Sequence, residues 1–200
     1  MIRIVLAEDQ SMLRGALATL LALEDDIDIL SDVSDGDAAW QRIRDQKPDV
    51  LVTDIEMPGR TGIDLAEAIR THKLDTHVLI VTTFSRPGYL QRALQAGVLG
   101  YILKDSSSST LADAVRKVAR GERHVPPELA ELAWTTPDPL TDRERQVLRY
   151  AEAGLSNKQI AAELSLSVGT IRNYLTDAMH KLNAANRIEA FRSARELGWL

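Results

Sequence analysis

The chain has no cysteine, which excludes a disulfide framework, a thiolate zinc site and a cysteine nucleophile together, and suits a reducing compartment. Aromatic residues are only 4% of its 200 residues, too few for an extended stacking platform along single-stranded nucleic acid. No run approaches the roughly 18 consecutive apolar residues of a membrane span. The opening residues, with Arg3 followed by Glu8 and Asp9, are not those of a secretory signal. A cytoplasmic protein is therefore expected. Positive charge is also scarce: the net charge is −5, divided as −4 over residues 1–127, −3 over 128–139 and +2 over 140–200. Only the C-terminal third favours phosphate. What is abundant is aliphatic: 44% hydrophobic residues suffice for one large or two small cores.

The first 120 residues alternate short aliphatic runs with longer amphipathic ones, the pattern of a parallel sheet with helical crossovers. Strands are expected at Ile2–Ala7, Ile27–Val33, Val50–Thr53, Val78–Thr82 and Leu99–Leu103. Runs such as VLVT and VLIVT are nearly all apolar, as strands covered on both faces must be. The result is an α/β fold, a five-stranded doubly wound sheet. From Gly121 onward Pro126, Pro127, Pro137 and Pro139 interrupt any helix, so 121–137 reads as a linker with a short helix from Glu128 to Trp134. Beyond it lie four helical stretches without strand signals. Thr141 with Glu144 and Ser156 with Gln159 form capping boxes, Ser167 caps a helix over Val168–Leu182, and the last runs from about Asn186 to Leu197.

In an open parallel sheet, ligands bind beyond the carboxyl ends of the strands. The residues there are Glu8 and Asp9 after the first strand, Asp54 after the third, Thr82 at the end of the fourth and Lys104 after the fifth. A lone strand-end Asp also serves as a helix cap or turn residue; the joint set is what points to a site. Clustered carboxylates repel unless a cation sits among them, and an oxygen-only set suits Mg²⁺. Such a site fits phosphoryl transfer: Asp54 attacks phosphorus, Lys104 clamps a phosphoryl oxygen and the Thr82 hydroxyl donates to another.

In the C-terminal part, the tight connection from Leu164 to Ser167 fits a helix-turn-helix unit. Within Val168–Leu182, Ile171, Leu175, Met179 and Leu182 form a core face and leave Arg172, Asn173 and Thr176 outside it. Arg reads guanine and Asn reads adenine in a bidentate way, and Thr takes a phosphate or a base edge. Lys158 and Lys181 are phosphate candidates.

The segments LAEDQ, VTDIEMPGRTG, IVTTF and GYILKD resemble the response-regulator receiver domain over residues 1–120. The resemblance implies Asp54 as phosphoacceptor and Asp9 and Asp54 as metal ligands. It adds Glu56 through its backbone carbonyl and Glu8 completing the pocket, with Thr82 as switch hydroxyl and Tyr101 as switch aromatic. Ser85, Arg86 and Tyr89 adjoin the face that moves. Asp105 stands where the family often has proline, as in the NarL/FixJ subgroup. LTDRE, AGLSNKQIAAEL, SVGTIRNYLTDAMHKL and NRIEA resemble the LuxR-type DNA-binding domain over residues 138–200, with Tyr174 where many members have His. Receiver followed by LuxR-type module is similar to the NarL/FixJ class of transcriptional response regulators. That likeness implies a membrane-bound sensor histidine kinase, promoter double-stranded DNA, a homodimer when phosphorylated and RNA polymerase as partners. The dimer would form through the receiver's first and last helices or the face around Tyr89 and Tyr101. Leu13, Leu17 and Leu20 on the first helix are spaced for a core.

Two rivals differ in class. A haloacid-dehalogenase-type phosphatase also uses a strand-end Asp with Mg²⁺ and a lysine and favours a second acid two residues on as general acid, a place Glu56 occupies; but the acid pair here precedes the nucleophile and no cap domain follows. A phosphorylation-independent DNA-binding scaffold would be indifferent to replacement of Asp54.

Overall fold

The computed structural model describes all residues except 84–86, 128 and 132–137. Five strands form one all-parallel sheet: β1 (Ile2–Ala7), β2 (Ile27–Val33), β3 (Val50–Thr53), β4 (His77–Thr82) and β5 (Gly100–Leu103), in the order β2-β1-β3-β4-β5. The order reverses at β1, which lies between β2 and β3, and a crevice opens at such a reversal beyond the strand ends. Every residue of β3 is buried and β4 is buried from Val78 on, as the apolar runs require. β4 starts one residue earlier and β5 one later than the sequence pattern suggested. His77 extends the pairing by matching Val50, and Leu99 uses its backbone to accept from His124.

Helices α1 (Ser11–Ala22), α2 (Gly36–Gln46), α3 (Gly62–Thr71), α4 (Pro87–Ala96) and α5 (Ser108–Ala119) connect and follow the strands. In α1, Leu17 and Leu21 enter the core while Leu20 is 39% exposed. Leu20 is therefore not the core residue its spacing suggested. At 100° per residue the stripe centres between Leu17 and Leu21, which puts Leu13 and Leu20 on its margin.

The second compact unit contains α6 (Asp142–Glu152), α7 (Asn157–Glu163), α8 (Val168–Lys181) and α9 (Arg187–Glu196). Both expected capping boxes form, with Thr141 and Glu144 opening α6 and Ser156 and Gln159 opening α7; Ser167 caps α8. Asn186 lies just outside α9 and accepts from the N–H groups of Ile188 and Glu189. The core joins Val147, Leu148, Ile160, Ile171, Leu175, Ala190 and Trp199. Among the described residues, no helix is long and apolar enough to cross a membrane. The short helix expected from Glu128 to Trp134 falls mostly outside the described residues, as do Ser85 and Arg86.

Candidate functional site

Parallel pairing brings the strand-end residues together. Ala7 pairs with Thr53, and the N–H of Asp54 donates to the carbonyl of Ala7 at 3.0 Å, so Glu8 and Asp54 leave the sheet side by side. On the other side Thr82 pairs with Leu103, and the N–H of Lys104 donates to the carbonyl of Thr82 at 2.9 Å. Lys104 then turns back over the crevice. Its Nζ lies 2.7 Å from Asp54 Oδ2 and 2.8 Å from Glu8 Oε2, and the three side chains are at most 6% exposed. The other Asp54 oxygen, Oδ1, accepts the N–H of Ile55 at 2.6 Å.

Burial pushes the Glu8 carboxyl up despite the nearby Lys104 ammonium and the Gln10 N–H. Burial acts against the Lys104 charge, yet Asp54 and Glu8 outweigh it and hold the ammonium above its ordinary value. Two carboxylates share one cation, a set with an excess negative charge in a water-poor crevice. Glu8 Oε2 meets the ammonium as an ion pair at 2.8 Å and is otherwise a buried oxygen without a hydrogen-bond partner. Asp9 is exposed beside them, and ligand oxygens of Glu8, Asp9 and Asp54 all lie within 4.8 Å of one another. Three hard oxygens at that spacing, one lacking a donor, fit a small divalent cation.

The remaining receiver residues take different positions. Thr82 is fully buried, and Glu56 is half-buried in the loop after β3. Tyr101 is 0% exposed, and its N–H donates to the His124 carbonyl at 2.8 Å. Tyr89 is buried. The Lys104–Asp105 peptide is trans, as are all described peptides.

Two supporting residues had no signal in a single sequence. Arg14 on α1 donates from Nη1 to the Glu8 carbonyl at 2.7 Å and from Nε to Asp32 at 3.1 Å, bracing the acidic corner. Gly62 opens α3 where a Cβ would overlap the carbonyl oxygen of Asp54, so the loop closes on the aspartate only without a side chain there.

In the helical unit, Arg172, Asn173 and Thr176 lie exposed on α8, opposite the buried Ile171, Leu175 and Ala178. The Thr176 hydroxyl donates to the Arg172 carbonyl at 2.9 Å, a bond within the helix that leaves its oxygen outward. Lys158 is exposed near the start of α7. Lys181 is differently disposed, with Nζ 2.8 Å from both carboxylate oxygens of Glu144.

Comparison with known proteins agrees with both halves. Residues 4–116 match the response regulator receiver domain and residues 138–194 match the bacterial regulatory proteins of the luxR family. The chain is 48% identical to the transcriptional regulatory protein DesR of Bacillus subtilis (strain 168), over 100% of this chain and 99% of that one. It is 38% identical to the response regulator RamR of Streptomyces coelicolor, over 100% and 98%. Among solved structures, the response regulator ChrA of a heme-sensing two-component system is 35% identical with a TM-score of 0.59, covering 100% of this chain and 98% of that one.

Proposed function

The chain belongs to the response regulators that join a receiver domain to a LuxR-type DNA-binding domain, and from that premise we propose that phosphorylation of Asp54 by a sensor histidine kinase drives dimerisation and sequence-specific binding to promoter DNA. The observation that carries this reading is the buried Asp54 carboxylate, held between the Ile55 N–H and the Lys104 ammonium at the topological switch point. The receiver occupies residues 1–120, the linker 121–137 and the DNA-binding domain 138–200, in the cytoplasm.

Asp54 reacts as a carboxylate. One of its oxygens attacks the phosphorus of a phosphohistidine, the P–N bond breaks with its electron pair leaving on the imidazole, and an acyl phosphate remains. Asp9 and Asp54 would hold Mg²⁺ through their carboxylates and Glu56 through its backbone carbonyl, with Glu8 completing the acidic pocket. When bound, the ion supplies neutralisation of the phosphoryl oxygens. Lys104 exchanges its contact with Asp54 Oδ2 for a phosphoryl oxygen. Thr82 turns its hydroxyl toward the same group, and Tyr101 repacks in the space this leaves. Phosphorylation and its reversal are half-reactions at Asp54 on the chain itself, not turnover of a metabolite.

The readout lies on α8. Arg172 and Asn173 address base edges and Thr176 a base edge or phosphate, Lys158 holds the backbone, and Lys181 lies at the end of the same helix. A dimer presents two such helices to paired half-sites, with RNA polymerase as the eventual partner at the promoter. The test is intact-mass spectrometry after incubation with acetyl phosphate and Mg²⁺. Wild type is expected to gain one phosphoryl group and Asp54→Ala none; equal labelling of both would overturn the assignment of Asp54.

A further inference from the structure

Outside the receiver pocket, Glu144 is the one buried carboxylate among the described residues, at 4% exposure. It is the third residue of α6 and serves the capping box there, its Oε2 accepting the Thr141 N–H at 2.7 Å. A capping box does not need burial or a distant cation. Asp64 in α3 completes a box of the same kind, is not buried, and has no partner from another helix among the described ion pairs; in α7 the neutral, exposed Gln159 takes the same place. Glu144 alone of the three takes a cation from another helix, both its oxygens accepting from Lys181 Nζ at 2.8 Å. Burial pushes its carboxyl up, but Lys181 and Thr141 outweigh this and hold it below the usual range, so it is charged at neutral pH.

The pair is partly buried, with the Glu144 side chain 5% and the Lys181 side chain 34% exposed; desolvation of the carboxylate offsets part of the attraction, so such a pair is a poor source of stability, and its best-attested use is to fix register. Here it pins the first turn of α6 to the last residue of α8, the helix bearing Arg172, Asn173 and Thr176. Arg172 lies about 13 Å along α8 from Lys181 at roughly 1.5 Å per residue, so a tilt of about 5° moves it by roughly 1 Å, enough to misalign a bidentate hydrogen bond. We propose that Glu144 is a positioning residue for DNA reading, acting through Lys181 to set the tilt and rotation of α8, and that Lys181 serves this pair rather than a phosphate. The inference rests on α8 being the DNA-reading helix.

The test uses the full chain with Mg²⁺ and beryllofluoride. Affinity is measured across a salt series for a duplex that wild type selects from a randomised pool and for a scrambled duplex of the same composition. Glu144→Gln and Lys181→Met are each expected to lose about tenfold of the preference for the selected duplex, with scrambled affinity and salt slope unchanged. The double variant leaves no buried charge unpaired, so it remains informative if a single variant fails to fold, and is expected to lose no more than the single ones. Equal loss on both duplexes in Lys181→Met, with a salt slope smaller by about one, would make Lys181 a phosphate contact. An unchanged preference in the variants would reduce the pair to a brace; both results overturn the proposal. Failure of wild type to select any sequence would instead overturn the DNA-reading role of α8.

Discussion

Lys104 faces Asp54 and Glu8 together because the ends of β1, β3 and β5 converge on one crevice. It is the only cation against two buried carboxylates among the described ion pairs there, so Lys104→Ala leaves two like charges side by side. Breaking a buried pair in this way costs about 3 kcal/mol or more. The variant should therefore melt below wild type in chelator and recover more than wild type when Mg²⁺ is added, as a scan of melting temperature against Mg²⁺ would show. It should still take a phosphoryl group on Asp54 but fail to dimerise; normal dimerisation would refute the clamp. On α8, Arg172→Ala should weaken binding to a preferred duplex by about 1–3 kcal/mol while leaving scrambled duplex nearly unaffected. A uniform loss in a titration would make Arg172 a phosphate contact. The strand-end acids and Lys104 were legible because in a parallel sheet position in sequence fixes position in space. Arg14 was not, since its hold on the Glu8 carbonyl depends on how α1 packs over β1. Nor was the burial of Glu144, which within LTDRE reads only as a cap partner.

At the scale of elements, the connection between β3 and α3 is held by close backbone contact. The Gly62 N–H donates to the Ile55 carbonyl at 2.9 Å, and a Cβ at Gly62 would meet the backbone of Asp54 rather than a side chain able to yield. Gly62→Ala should displace the loop that carries Asp54. We expect destabilisation of about 1–3 kcal/mol in urea unfolding and slower labelling by acetyl phosphate. Unchanged labelling would mean that the loop relaxes without moving the aspartate. Strand extents were read closely because β-branched runs buried on both faces have no competing helical period. Helix starts were equally legible where Thr141, Ser156 and Ser167 cap them. The box of Thr61 with Asp64 was missed, since its N3 residue is an aspartate rather than the Glu or Gln that marks a capping box in sequence. The margin of α1 was misjudged because Leu13, Leu17 and Leu20 fit a helical stripe, and only packing against β1 and β2 shows that Leu21 displaces Leu20.

Over the whole molecule the charge is divided as the functions are. The acidic residues 1–139 hold the crevice of Glu8, Asp9, Asp54 and Lys104, and the slightly basic residues 140–200 carry the exposed α8 face. Neither half alone turns a phosphorylation into a choice of DNA site; the coupling is the central claim. Its most direct test is the mass in solution by light scattering, wild type against Asp54→Ala, each with Mg²⁺ and with or without beryllofluoride. The account predicts that beryllofluoride shifts wild type from monomer toward dimer and leaves Asp54→Ala unchanged. Masses that respond alike, with both proteins binding a fluorescent duplex equally, would contradict it and leave the receiver as a scaffold.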